Sequence, residues 1–165
     1  MLQACSSTEL LQAYCSVLEI LRERNVIRSS NNPVADYTEH LICEALTLTL
    51  APKSTTGFDA HDEQNRKYEI KGRRITRHSK SRQLSAIRGL NEGHFSFLAG
   101  VVFNEDFTIL KACLVPHAVV SELATYREHV NAWIFHLRDS VWEIPSVVDI
   151  TGVVHAIQVK SGCTG

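Results

Sequence analysis

Two apolar runs of strand length, residues 95–103 and 108–115, flank the polar triplet Asn104-Glu105-Asp106. That arrangement predicts a β-hairpin in the middle of the chain. Helical periodicity stands before it and after it. Across residues 7–24, Leu10, Leu11, Tyr14, Val17, Leu18 and Leu21 fall at i, i+1, i+4, i+7, i+8 and i+11, an amphipathic helix. Ser6 and Glu9 have capping-box spacing at its start. After a break at Ser29-Ser-Asn-Asn-Pro33, a second helix is expected from Asp36, its N-cap, to about residue 50, where Pro52 ends it. It is apolar on much of its circumference and should be sandwiched in the core. A short helix is expected over 82–90, with Leu84, Ile87 and Leu90 inward. Pro116 suits the first turn of another helix, running to about residue 129. Residues 132–137 fit a strand and residues 151–159 a last helix. The fold class expected is α/β, a mixed β-sheet flanked by helices.

A length of 165 residues suits one domain with a single core. Residues 1–32 read as a helical extension, 34–115 as the core and 116–165 as C-terminal additions. The apolar fraction of 44% excludes a disordered chain. No apolar run approaches the ~20 residues that span a bilayer. The start lacks a basic stretch before an apolar core, so no signal peptide is expected and the cytoplasm is the default location. Five cysteines, Cys5, Cys15, Cys43, Cys113 and Cys163, include no pair at metal-ligand spacing. Cys15, Cys43 and Cys113 sit in apolar patterns and read as reduced core residues.

Net charge is −1, yet nine of the seventeen Lys and Arg residues fall between Arg66 and Arg88, where Glu69 is the only acid. A basic stripe in a neutral chain is an electrostatic footprint for a phosphate backbone, or else a solvated face.

The chemistry concentrates just before and within that stripe. Residues 58–62 and 66–74 fit two strands of a hairpin. With a three-residue turn at Glu63-Gln64-Asn65, and Asn65 left-handed, Asp62 pairs with Arg66, His61 with Lys67 and Asp59 with Glu69. Cross-strand partners share a face. Two carboxylates then stand side by side, with Lys71 one step on. Their repulsion is relieved by a divalent cation. Mg²⁺ takes one or two carboxylates, waters and substrate phosphates, and the backbone carbonyl of Ile70 is a further candidate ligand. Such a metal polarises a phosphodiester and acidifies bound water, while Lys71 orients that water or stabilises charge on the phosphate. Glu39 heads a stripe with Ile42, Cys43 and Leu46, so its carboxylate points at the core or its rim, where an unpaired charge is costly.

Each piece also has a plain structural reading. Glu39, three residues after Asp36, fits the N3 position of a capping box. Asp59 fits a strand end, and Lys67, Glu69, Lys71 and Arg73 fit a solvated strand face. The joint order is more specific: an acid-bearing helix, then Asp, then Glu-x-Lys on a strand, then a basic loop.

That order resembles the PD-(D/E)xK nuclease superfamily, with its restriction-endonuclease-like core. The residues that carry the resemblance are Gly57-Phe-Asp59, Tyr68-Glu69-Ile-Lys71 and Glu39 of Thr38-Glu39-His40, within residues 34–103. Phe58 stands where the family's name-giving Pro would be. The resemblance implies Mg²⁺, replaceable by Mn²⁺, on Asp59 and Glu69, with Lys71 assisting the attacking water and Glu39 in support. It implies a helix opened by Arg82 and Gln83 beside the site. Arg73, Arg74, Arg77, Lys80, Arg82 and Gln83 are the candidate nucleic-acid contacts, which fix position rather than read sequence. The expected function is Mg-dependent endonucleolytic hydrolysis of DNA, in a defence or restriction context. The alternative is a non-catalytic DNA-binding or assembly module on the same fold. A homodimer would serve cleavage of both strands. Motifs for zinc proteases and for Ser or Cys nucleophiles are absent from the sequence.

Overall fold

The computed structural model describes residues 2–162. The helix α1 (Ser7–Glu23) comes first, closed at its start by a Ser6/Glu9 capping box. Helix α2 (Val34–Leu46) follows. Then come β1 (Thr49–Leu50), β2 (Ala60–His61), β3 (Lys67–Arg74), β4 (Phe97–Phe103) and β5 (Ile109–Pro116). The order ends with α3 (His117–Leu123), β6 (Thr125–Arg127), β7 (Ala132–Ile134), β8 (Val148–Asp149) and α4 (Thr151–Gly162). Six strands form one mixed sheet in the order β1-β2-β3-β4-β5-β8, and β6 and β7 form a separate pair. Strands β3 and β4 run parallel, and their sheet neighbours pair antiparallel. A parallel pair needs a long crossover, and residues 75–96 supply it. The class is therefore α/β with a mixed sheet flanked by helices. Among the described residues no helix is long and apolar enough to cross a membrane.

Strand β4 explains the two-sided core. Leu98, Gly100 and Val102 point to one face, and Ala99, Val101 and Phe103 to the other. On the second face Leu41 and Ile42 of α2 and Val154 of α4 pack against Ile70, Val101 and Phe103. On the first, the crossover and the later chain contribute Leu84, Ile87, Leu90, Phe135 and Leu137. Helix α2 approaches β3 very closely. A Cβ at Gly72 would stand 2.0 Å from Oγ1 of Thr38, a fully buried residue.

Several predicted boundaries are corrected. Helix α2 starts at Val34, not at Asp36: Pro33 is already helical, as suits a proline at a helix start, and Asn32 Oδ1 accepts the Val34 N–H at 3.1 Å. It stops at Leu46 because Thr47 turns left-handed. Residues 49–50 are strand, not helix. The helix expected over 82–90, with Arg82 and Gln83 at its head, is absent. Residues 82–87 are instead extended, before a left-handed Gly89 and a 3-10 turn that opens at Leu90, and their backbone bonds go to residues 133–137: Leu84 N–H to Phe135 O at 2.9 Å, Ile87 N–H to Trp133 O at 2.9 Å, and Trp133 N–H to Ile87 O at 2.8 Å. Leu84, Ile87 and Leu90 are buried as expected, but by a tertiary partner that sequence spacing does not reveal. The helix from Pro116 ends at Leu123, because Thr125–Arg127 pairs with Ala132–Ile134 instead. Cys113 is buried and Cys43 partly so, whereas Cys15 is exposed on α1, not in the core. Cys163 lies outside the described residues.

Candidate active site

The site begins with a tight turn. Asp62 N–H donates to Arg66 O at 3.1 Å, and Asn65 has φ of 59°. The Asp62 carboxylate accepts the N–H groups of Gln64 and Arg66 at 3.0 and 2.9 Å. This fixes the register: His61 faces Lys67 and Ala60 faces Tyr68. One step further, Asp59 N–H donates to Tyr68 O at 2.8 Å, one residue off the register of Ala60 with Tyr68, so the strand pairing ends at Ala60 and the expected pairing of Asp59 with Glu69 is not formed. Its side chain does something the register alone does not give. Oδ2 accepts the Ile70 N–H at 2.7 Å, taking over the edge of β3 where β2 ends. Within a strand the N–H and C=O of one residue point the same way, so the Ile70 carbonyl is directed to the same opening.

Alternation along β3 sends Tyr68, Ile70 and Gly72 toward α2 and Glu69, Lys71 and Arg73 to the other face. Glu69 is 9% exposed, beside Leu98 of β4. Its Oε1 lies 2.8 Å from Lys71 Nζ. The close seating of α2 on Gly72 brings in Glu39, the residue after Thr38. A cavity of about 450 Å³ opens there, walled by Glu39, Asp59, Ile70, Lys71, Arg73 and Arg74. Glu69 lies outside that wall.

Arg28 is the site residue that the sequence did not disclose. The Asp36 carboxylate is not an N-cap. It accepts the N–H groups of Arg28 and Ser29 at 2.8 and 2.7 Å, folding the preceding loop onto α2. The Arg28 guanidinium thereby ion-pairs with Glu39. The capping-box reading of Glu39 falls with the helix start. Asn32, Thr76 and Ser85 also line the cavity. No motif pointed to them.

Three carboxylates, Glu39, Asp59 and Glu69, meet Arg28 and Lys71, and Arg73 and Arg74 stand on the same cavity wall. Burial pushes the Glu69 pKa up. Lys71 opposes that shift, while Asp59 and Glu39 add to it. Burial likewise raises Glu39 against the pull of Arg28, with Asp59 and Asp36 adding to the rise. A divalent cation would relieve this crowding, and the donors are hard oxygens that suit Mg²⁺. Among the described residues, however, no three His, Cys, Asp or Glu side chains are gathered at metal-ligand spacing. Water and substrate oxygens would have to complete any coordination shell.

The raised Glu69 pKa has a measurable sign. A carboxyl whose folded pKa stands above its ordinary 4.5 binds its proton more tightly in the folded state, so stability is lost as pH rises from 4.5 through the folded value. Relative to wild type, Glu69→Gln should therefore gain melting temperature progressively as pH rises above 4.5. An offset that does not change with pH would contradict this.

The basic candidates divide. Arg73 and Arg74 reach the cavity. Arg73 Nε also donates to Ser81 O at 2.9 Å, pinning the basic loop, and Arg74 stacks 4.5 Å over the Phe107 ring. Arg77 lies 3.8 Å from Glu105, and Arg82 pairs with Asp139 at 2.7 Å. Lys80 and Arg82 border a separate cavity, and Gln83 bridges to His136. These four are not brought to the candidate site. No protein-family model matches the chain, and no curated protein matches it significantly.

Proposed function

We propose that this chain is a divalent-metal-dependent deoxyribonuclease on a restriction-endonuclease-like core, hydrolysing DNA phosphodiester bonds. The observation that carries the reading is the crowding of Asp59 and buried Glu69 beside Lys71, under a cavity rimmed by Arg73 and Arg74. Asp59, Glu69 and the Ile70 carbonyl would hold Mg²⁺ or Mn²⁺. Bound there, the ion would supply Lewis-acid polarisation of the phosphate and a more acidic water. Lys71 Nζ would orient the attacking water or donate to charge developing on the phosphate oxygens. Arg73 and Arg74 would fix the backbone phosphates without reading sequence. Glu39, held by Arg28, would support the cation from the α2 side of the cavity. The cavity's size, about 450 Å³, suits a phosphate with its flanking sugars.

A second reading is a module that binds DNA, or assembles with other proteins, without cutting. It is favoured by the ion pairs that already engage Glu39 and Glu69 and, among the described residues, by the lack of a three-ligand cluster. Incubation with supercoiled plasmid, linear duplex and RNA, in Mg²⁺ or Mn²⁺ against chelator, separates the two. The nuclease reading expects DNA nicking that chelation abolishes. Salt-dependent binding with no cleavage in either metal would favour the second.

A further inference from the structure

The amphipathic pattern of α1 is fulfilled, yet most of its apolar face lies exposed among the described residues. Leu18 is buried, and Leu21 and Arg22 are half-buried, so the helix is anchored by its last two turns. Arg22 also donates to Ser29 O at 3.2 Å. The earlier turns stand clear. Leu10 is 41% exposed, Leu11 64%, Tyr14 50%, Val17 53% and Ile20 46%. Of the twelve large apolar side chains exposed among the described residues, these five share one helix. Such a concentration on a soluble surface marks an interaction site.

We propose that this face of α1 is a homodimer interface, paired with the same face of a second copy. Leu10, Tyr14 and Val17 have the 4-3 spacing of a helix-pairing seam, with Leu11 and Ile20 on its two flanks. At these exposures the five side chains present roughly 500 Å² per protomer, so two copies have about 1,000 Å² to bury before any polar rim is counted, the lower bound for a specific interface. A helix resting on its own kind satisfies this with one sequence pattern, because a two-fold interface uses one patch twice. A lipid surface fits less well. The helix carries Glu9, Glu19 and Glu23 against Arg22 alone, whereas helices that lie on membranes are rich in Lys and Arg. The proposal does not depend on the nuclease reading.

Sedimentation equilibrium of the full chain across the micromolar range tests it, with Leu11→Glu/Tyr14→Glu as the variant. Both positions are exposed, so the variant should keep the wild-type far-UV spectrum. The expected result is a dimeric wild type and a variant of half that mass. A wild type that stays monomeric would overturn the proposal, as would a dimer that survives the double substitution. Flotation of a monomeric wild type with phosphatidylglycerol-containing vesicles would overturn it in favour of a lipid surface.

Discussion

Asp59→Asn should abolish metal-dependent cleavage, by about 10³-fold or more, while leaving the fold intact. The substitution separates the two jobs of this side chain. Asparagine keeps an oxygen to accept the Ile70 N–H, so the edge of β3 stays satisfied. It removes the charge that a divalent cation would require. Alanine would confuse the two by leaving that N–H without its side-chain partner. Lys71→Met should cost about 10²–10³-fold, the range for losing one donor aimed at developing charge. Its effect should fall on kcat more than on DNA affinity, because Arg73 and Arg74 remain. Steady-state cleavage with melting curves on the same preparations checks both. Activity within a few fold of wild type in Asp59→Asn would remove Asp59 from the chemistry.

Gly72→Ala is expected to be the most damaging single-atom-group change in the sheet. The added methyl would meet Thr38 Oγ1 at 2.0 Å and Thr38 Cβ at 3.0 Å. Thr38 has no room to turn away: it is fully buried, and its hydroxyl donates to Val34 O at 2.6 Å. Helix α2 must lift from β3, at a cost of about 3 kcal/mol, the upper part of the overpacking range. Lifting α2 also withdraws Glu39, so cleavage should fall beyond what the lower melting point explains. Thr38→Ala in the same chain should restore part of the stability by removing the nearer atom, a coupling that a double-mutant cycle would register. A Gly72→Ala protein as stable as wild type would mean that α2 and β3 are less tightly joined than described.

What could be read from the sequence was local. The hairpin register followed from a turn of three residues with an asparagine able to take positive φ, and the β4–β5 hairpin from two apolar runs around a polar triplet. Both depend on residues close along the chain. Failures came where distant partners decide. Leu84, Ile87 and Leu90 have helical spacing, but residues 133–137 offer the same backbone groups a strand-like partner, and the extended form wins. Arg28 lies eleven residues from Glu39, and only the folding of its loop onto Asp36 brings the two together. Thr47 ends α2 by a left-handed turn that a β-branched residue does not advertise. The pattern of α1 was legible, yet periodicity tells which face is apolar and not what will cover it. Of the basic residues, only Arg73 was placed by strand alternation, beside Glu69 and Lys71, whereas Arg77, Lys80 and Arg82 sit on a loop whose path no local rule sets.

Calorimetric titration of Mn²⁺, with and without a DNA duplex, on wild type, Asp59→Asn and Glu69→Gln addresses the central claim most directly. One site in wild type, tightened by DNA and lost in both variants, is the predicted result, since the two carboxylates would then share a single ion. Wild type that binds no Mn²⁺ even with DNA present, or variants that bind as well as wild type, would contradict the account and leave the charged hairpin as a non-catalytic contact surface.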